Sequence, residues 1–489
     1  MIGLTRVVLV AAAGAGLVLA AAKAPALDLA APAARAVTPA TAAAVASTSV
    51  VCPGPETLGV DGVLPGRQTT SVAALTAPRE VLPAQARSEG AGTLSLRSLA
   101  SPEATPGAGP STSARGSALG TTASVPASVL AAGTGSLAPG TVGAQRTLVT
   151  KGDDRGLTGS ACVAPREQAW LVAGGGEAGR RERLVLANPG PNPIQVDLTV
   201  LGSAGEVTSP DARDIVVGPY GRTVVLLDAV AGSEKSPVVG VTARGGEVAA
   251  VLSDTWLDGI VPRGGDDAVP TADPAPEQVV PGVALSGRGT LRLAVPGDTE
   301  AVVQLRLLTP AGAQALPHGG VVRVPARSTT DVDLSGLPAG AYAVHVRADV
   351  PVLAGATVER RAAAAGASDL AWTTATAPVR GLAGAALLPA PGVTTEVQLV
   401  SVGRSAVVTV TSVSPAGQVA NDTVAVPADS VATRSVTGAA SVWVTPVSGQ
   451  VRAATVSAVA DPAGQLVSVS PLVSLPLTTT PLSVRAARD

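Results

Sequence analysis

The chain has no phenylalanine, and aromatic residues make up only 1% of its 489 positions. Cores must therefore be built from valine, leucine and alanine, which suits thin sheet pairs better than a large enzyme interior. Histidine occurs only at His318 and His345. There is no G-x-S-x-G elbow, no H-E-x-x-H and no Cys–His pairing, so nucleophilic and zinc hydrolysis lack their parts. A carboxylate pair for glycoside hydrolysis stays open, although sugar sites stack on aromatics and only four tryptophans exist. Trp170, Trp256, Trp372 and Trp443 read better as core plugs or wedges between domains. Long runs of one charge are absent, and 34 basic against 36 acidic residues leave a net charge of −2. With no basic face and no interleaved aromatics, nucleic acid is not an expected partner. We expect a non-enzyme with no catalytic residue, no cofactor and no bound metal.

Long apolar runs are missing with one exception. Arg6, the stretch Val7 to Ala22 and the A-x-A spacings up to Ala26 form an export signal over residues 1–26. The run is short for a membrane span, which needs ~20 residues. Cleavage and retention as an anchor both remain open, and either places the bulk of the chain outside the cytoplasmic membrane. The membrane is expected to be touched only through this segment. The two cysteines, Cys52 and Cys162, fit an oxidising compartment as one disulfide. A loop of that length stabilises by ~4–5 kcal/mol on the chain-entropy argument.

Residues 27–49 are rich in Ala, Pro and Thr and read as a flexible linker. Residues 50–150 read as a low-complexity, loosely β-rich region. Repeats follow. LANPG, LAVPG and LVSVG end at Gly190, Gly297 and Gly403, and GSAG, TPAG and SPAG end at Gly205, Gly312 and Gly417. The interval is roughly 106 residues, the size of a seven-stranded sandwich with turns every ~8–12 residues. In the stretch Ala341 to Glu359, Val344 and Val346 face one way and His345 and Arg347 the other, and Asp349-Val350-Pro351 breaks the run at a turn. The predicted fold is all-β: three tandem immunoglobulin-like β-sandwich repeats at residues 151–278, 279–377 and 378–475, then a tail at 476–489.

Few stretches carry possible chemistry. GGGEAG (Gly174 to Gly179) matches G-x-G-x-x-G, but a strand follows where dinucleotide binding needs a helix. It reads as a glycine-rich connection. Arg180, Arg181 and Arg183 form a candidate surface for an anionic envelope polymer, or a charged strand edge that resists aggregation. Asp254, Asp258, Asp266 and Asp267 lie in DTWLDGIVPRGGDD, where a calcium loop or an inter-domain loop packed under Trp256 are the two readings. Asn421 opens a chance sequon.

Together AW-x-x-GGG-x-x-GRR-x-RLVLANPG, then DTWLDGIVPRGGDD and DLAW (Asp369 to Trp372), resemble exported actinobacterial proteins of domain-of-unknown-function family 5719. The likeness runs roughly from Cys52 to Leu475, with Leu171 where the family usually has an aromatic. It implies an envelope-associated protein and brings no activity. The expected role is a non-enzymatic scaffold or adhesion protein whose partner is a cell-envelope protein or polysaccharide. The alternative is a carbohydrate-binding or envelope-polymer-processing accessory protein.

Overall fold

The structure, a computed structural model, describes residues 42–55, 69–99, 108–123, 126–317, 319–363 and 365–479. The expected signal (1–26), most of the expected linker, His318 and the tail from 480 lie outside the described residues. Strands dominate the rest. One helix, Leu227–Ala231, lasts five residues and stops at Gly232, whose φ of 60° an L side chain disfavours. Among the described residues no helix is long and apolar enough to cross a membrane.

The strands form four sheet pairs. In the first, Ser47–Cys52, Ser128–Gly135, Gly92–Leu99 and Ala108–Thr112 form one sheet in that order. Leu119–Ala123, Thr70–Thr76, Thr141–Val149 and Gly156–Ala161 form the other. Val50, Leu94, Leu96 and Val129 meet Val72 and Ala74 between them. Numbering the eight strands along the chain, the sheets run 1-6-3-4 and 5-2-7-8. The same two orders recur in the pairs starting at Gln168, Ala275 and Ala383, where Gly205–Val207 with Ile215–Val217, and Gly312–Gln314 with Val321–Val324, each count as one strand and the halves of Gly340–Arg361 as two. Alternation drives each pair. Ile194–Gly202, for example, buries Ile194, Val196, Leu198 and Val200 against Leu184, Leu186, Ala250 and Leu252. Each such side chain contributes ~1.5–3 kcal/mol on leaving water.

Several expectations need correction. The described residues within 50–150 are not loosely organised: they hold seven strands of the first sandwich, and Ser47–Ser49 of the expected linker begin its edge strand. The first sandwich escaped notice because its strands are Ser/Thr/Gly/Ala-rich and its turns lack the ANPG-type landmarks. The boundary at 151 falls inside the hairpin Thr141–Val149/Gly156–Ala161. The strand order also departs from an immunoglobulin domain, whose sheets run 1-2-5-4 and 7-6-3. The neighbours 2–5 and 3–6 are kept, while strands 1 and 7 exchange sheets and strand 4 moves from beside strand 5 to beside strand 3. Asp349-Val350-Pro351 makes no turn. Gly340–Arg361 is one strand that pairs Ala275–Leu285 and Ala301–Thr309 along its first half and Gly287–Val295 and Ser368–Thr374 along its second. His345 faces away from its own core but is only 5% exposed, with Nε2 2.8 Å from Glu277. Burial lowers its pKa despite that carboxylate.

The eighth strands position everything else. Gly156–Ala161, Val261–Ala268, Ser368–Thr374 and Leu466–Leu472 pack each against the next, and the fourth against the first. We call them the axial strands. Thr158 Oγ1 donates to Gly265 O at 3.0 Å, Trp372 N to Asp266 at 2.8 Å, Val467 N to Asp369 at 2.9 Å and Ser468 Oγ to Gly159 O at 2.8 Å. The four sandwiches close a ring. The seams are wedged by tryptophans: Trp170 packs on Ala294 and Leu353, and the fully buried Trp443 packs on Leu75, Leu82 and Val142.

Candidate functional site

The stretch Asp254 to Asp267 is not a loop. It is a hairpin, Ala249–Asp258 with Val261–Ala268, turning at Gly259 with φ 63°. On its other side Ala249–Asp258 pairs with Arg180–Ala187, so Arg180 stands opposite Trp256 and Glu182 opposite Asp254. Period-2 geometry therefore puts the even-numbered residues 180, 182, 254, 256 and 266 on one inward face. Arg180 forms a bidentate pair with Asp254, Nε–Oδ1 at 2.8 Å and a terminal nitrogen to Oδ2 at 2.6 Å. Trp372 Nε1 donates to the same Oδ2 at 2.7 Å. The Arg180 side chain is 8% exposed and that of Asp254 is 0% exposed.

Around this pair runs a ladder of alternating cations and rings. Arg263 lies 5.7 Å from Trp256, Arg180 lies 5.6 Å from Trp256 and 5.9 Å from Trp372, and Arg292 lies 5.4 Å from Trp372. Each arginine has its own acid: Asp258 for Arg263 at 2.6 Å, Asp254 for Arg180, and Asp331 for Arg292 at 2.9 and 3.0 Å. Each contact contributes ~0.5–2 kcal/mol, more where water is excluded. Burial alone would lower the Arg180 pKa; Asp254, with Glu177 and Glu182, together outweigh it and raise it. The Glu182 pKa also rises, to about 8, through burial and then the Asp254 charge, although Arg180 pulls it down.

Asp266 and Asp267 sit deeper, with a partner that composition and motif scanning missed. Asp369, in the axial strand of the third sandwich, accepts from Leu157 N at 3.0 Å, Val467 N at 2.9 Å and Leu370 N at 3.0 Å. One carboxylate thus holds strands of three sandwiches. Asp266 accepts from Trp372 N of the third sandwich, and Asp267 accepts from Gln145 Nε2 of the first at 2.6 Å. Gly264, at φ 95°, leaves room for Asp369: a Cβ there would stand 2.6 Å from its Cα. The only sequence signal for Asp369 was its place two residues before the alanine of DLAW.

Burial raises all three axial acids: Asp369 to about 7, Asp267 to about 6, and Asp266 well above its ordinary value. Carboxyls titrate near ~4 in an unfolded chain, so folding takes up protons between that pH and the raised value. The stability they contribute is complete below pH ~4 and is lost as pH climbs through about 6 for Asp267, 7 for Asp369 and 8 for Glu182. We expect the urea midpoint to fall steadily from pH ~5 to pH ~8 and Asp369→Asn to flatten that slope. A midpoint that rises across this window would contradict the assignment.

The proposed ligand surface is thus mostly interior. Asp254, Asp266 and Asp267 are buried, Arg180 and Arg183 are half-buried with the Arg180 side chain turned inward, and Asp258 is tied to Arg263. Arg181 alone of the arginines is exposed, beside Asp153, Asp154 and Trp256. No group of three His, Cys, Asp or Glu among the described residues is placed to hold a metal ion, and Asp254 already spends both oxygens on Arg180 and Trp372. The glycine stretch is a connection into the strand Arg180–Ala187, where Gly174 has φ 96°.

A family model described as a family of unknown function, DUF5719, matches residues 116–437. The chain belongs to this family. The span matched by DUF5719 starts in the first sandwich and ends in the fourth, and it contains every rung of the ladder and all three axial acids. No curated protein matches the DUF5719 chain. Among solved structures, a tetra-tandem repeat in the extending region of a large adhesion protein aligns with 81% of this chain and 97% of its own, at 13% identity and a TM-score of 0.10. A score that low carries no argument.

Proposed function

We propose that the protein is an exported, non-enzymatic scaffold of the cell envelope that offers the rim of a stiff ring to other envelope components. The observation that carries this reading is the fate of its charges. The buried groups that could have formed a reactive centre, Arg180, Asp254, Asp266 and Asp369, are spent on holding sandwiches together. The disulfide between Cys52 and Cys162 supports an oxidising address. Three of the four sandwiches also share the glycine landmarks, in keeping with growth by duplication. The test is a fusion of the full chain to a phosphatase that is active only after export, followed by fractionation. Activity in the envelope fraction is expected; an inactive fusion recovered from the cytosol would overturn the reading.

A second reading, a carbohydrate-binding accessory, is favoured by the shallow surface cleft that joins exposed Arg181 to Asp153, Asp154 and Trp256. If it holds, anionic glycans on an array bind the full chain, and Arg181→Ala weakens them about tenfold, the loss of one charge-assisted hydrogen bond. A blank array removes it.

A further inference from the structure

The first strand of the first sandwich, Ser47–Cys52, lies at a sheet edge whose open side is covered only at its ends. Val51 exchanges both backbone bonds with Val163, at 2.8 and 2.9 Å, and Val45 donates to Leu477 O at 3.1 Å. Main-chain groups alternate in direction along an antiparallel strand, so Val45, Ser47, Ser49 and Val51 all aim theirs to this side. Among the described residues nothing bonds the outward groups of Ser47 and Ser49.

Two stretches of the chain approach the gap and neither fills it. After Val163 the chain leaves through Ala164 and Pro165, and a proline has no N–H to offer Ser49. Before Leu477, Ser474 bridges Ala383 and Leu475 N donates to Leu382 O at 2.9 Å, both on the fourth sandwich. The edge therefore opens on a groove of about 520 Å³, walled by Pro165, Val269, Pro270, Pro471, Val473 and Leu475. Thr48 lines the same groove, is 9% exposed, and has no partner for its hydroxyl. The groove's charges are one Arg166 and one Glu247, which balance.

We propose that this groove is a docking slot in which an extended, uncharged, apolar segment of a partner protein adds to the strand Ser47–Cys52. Donors and acceptors repeated every ~6.8 Å along one side match another extended backbone and neither a sugar ring nor a lipid chain. The neutral, proline- and valine-built walls accept alternate small apolar side chains. This deepens the scaffold reading and rests on it only in requiring a protein partner.

The test pans a displayed library of short random peptides on the full chain, then measures synthetic copies of the winners by fluorescence anisotropy. Ser49→Pro removes the outward N–H at an edge position where proline is tolerated, and Ser49→Ala keeps it. Alternating apolar winners should bind wild type and Ser49→Ala alike and bind Ser49→Pro about tenfold more weakly, the loss of one buried backbone bond. N-methylating alternate amides of the peptide should weaken binding to wild type by a similar factor, which covers the case where Ser49→Pro fails to fold. Hydrogen exchange at Ser47 and Ser49 should slow on binding. Winners that bind Ser49→Pro as well as wild type, winners indifferent to N-methylation, or no winners would each overturn the slot. Concentration-dependent self-association that protects the Ser49 amide without peptide would assign the groove to a second copy and also overturn it. Loss of the slot alongside an active export fusion leaves the scaffold reading standing; an inactive fusion with peptide binding intact does the reverse.

Discussion

Replacing Arg180 by alanine is expected to destabilise the protein by about 3–5 kcal/mol, because Asp254 would be left as a buried charge without its partner. Asp254 is 0% exposed, and after the change only Trp372 Nε1 would still serve its Oδ2. Urea unfolding followed by tryptophan emission is the natural measurement, since Trp256 and Trp372 flank the guanidinium. Two further variants separate charge from packing. Arg180→Lys keeps the charge but loses the planar fork and the stacking, so it should recover only part of the loss. The double change Arg180→Met with Asp254→Leu removes both charges and should be far less harmful than Arg180→Ala alone. A loss below about 0.5 kcal/mol for Arg180→Ala, typical of a surface site, would mean that the ladder is decorative.

Removing the disulfide should cost about as much by a different route. Cys52 ends the first strand of the first sandwich, Cys162 follows its eighth, and they are 110 residues apart. The chain-entropy argument gives about 4–5 kcal/mol for a loop of this size. Changing both to alanine keeps the site apolar and isolates the crosslink. The effect should spread, because the first sandwich supplies Leu157 N to Asp369 and Arg155 to Asp461 at 2.7 Å. Melting the first sandwich therefore undoes two seams at once. A thermal melt should show an early transition in the double variant, with faster exchange of the Leu157 amide. An unchanged melt would mean that the ring alone holds this sandwich.

Legibility in the sequence followed how local each signal was. Strands, turns and the cysteine pair were readable because alternation and Gly/Pro punctuation act within a few residues. Val344 and Val346 were placed correctly on a core face. His345 was misjudged because its cover comes from the fourth sandwich, in contacts whose sequence separation leaves no periodic trace. The acids fared worst. Asp254, Asp266 and Asp267 look like a loop rich in oxygen ligands when Gly259 and Gly264–Gly265 are taken as loop residues. In fact the first makes a two-residue turn, and the second pair lets an axial neighbour approach. Asp369 offered no cue by itself, since its work is done across three sandwiches.

The pairing of Ala43–Ala44 with Thr478–Thr479 has a mechanical consequence. The two ends of the described residues, Ala43–Ala44 and Thr478–Thr479, are paired, so tension between them would be borne first by a two-residue ladder and not by the sandwiches in series. Pulled at those two points, the four sandwiches do not lengthen as a string of beads does.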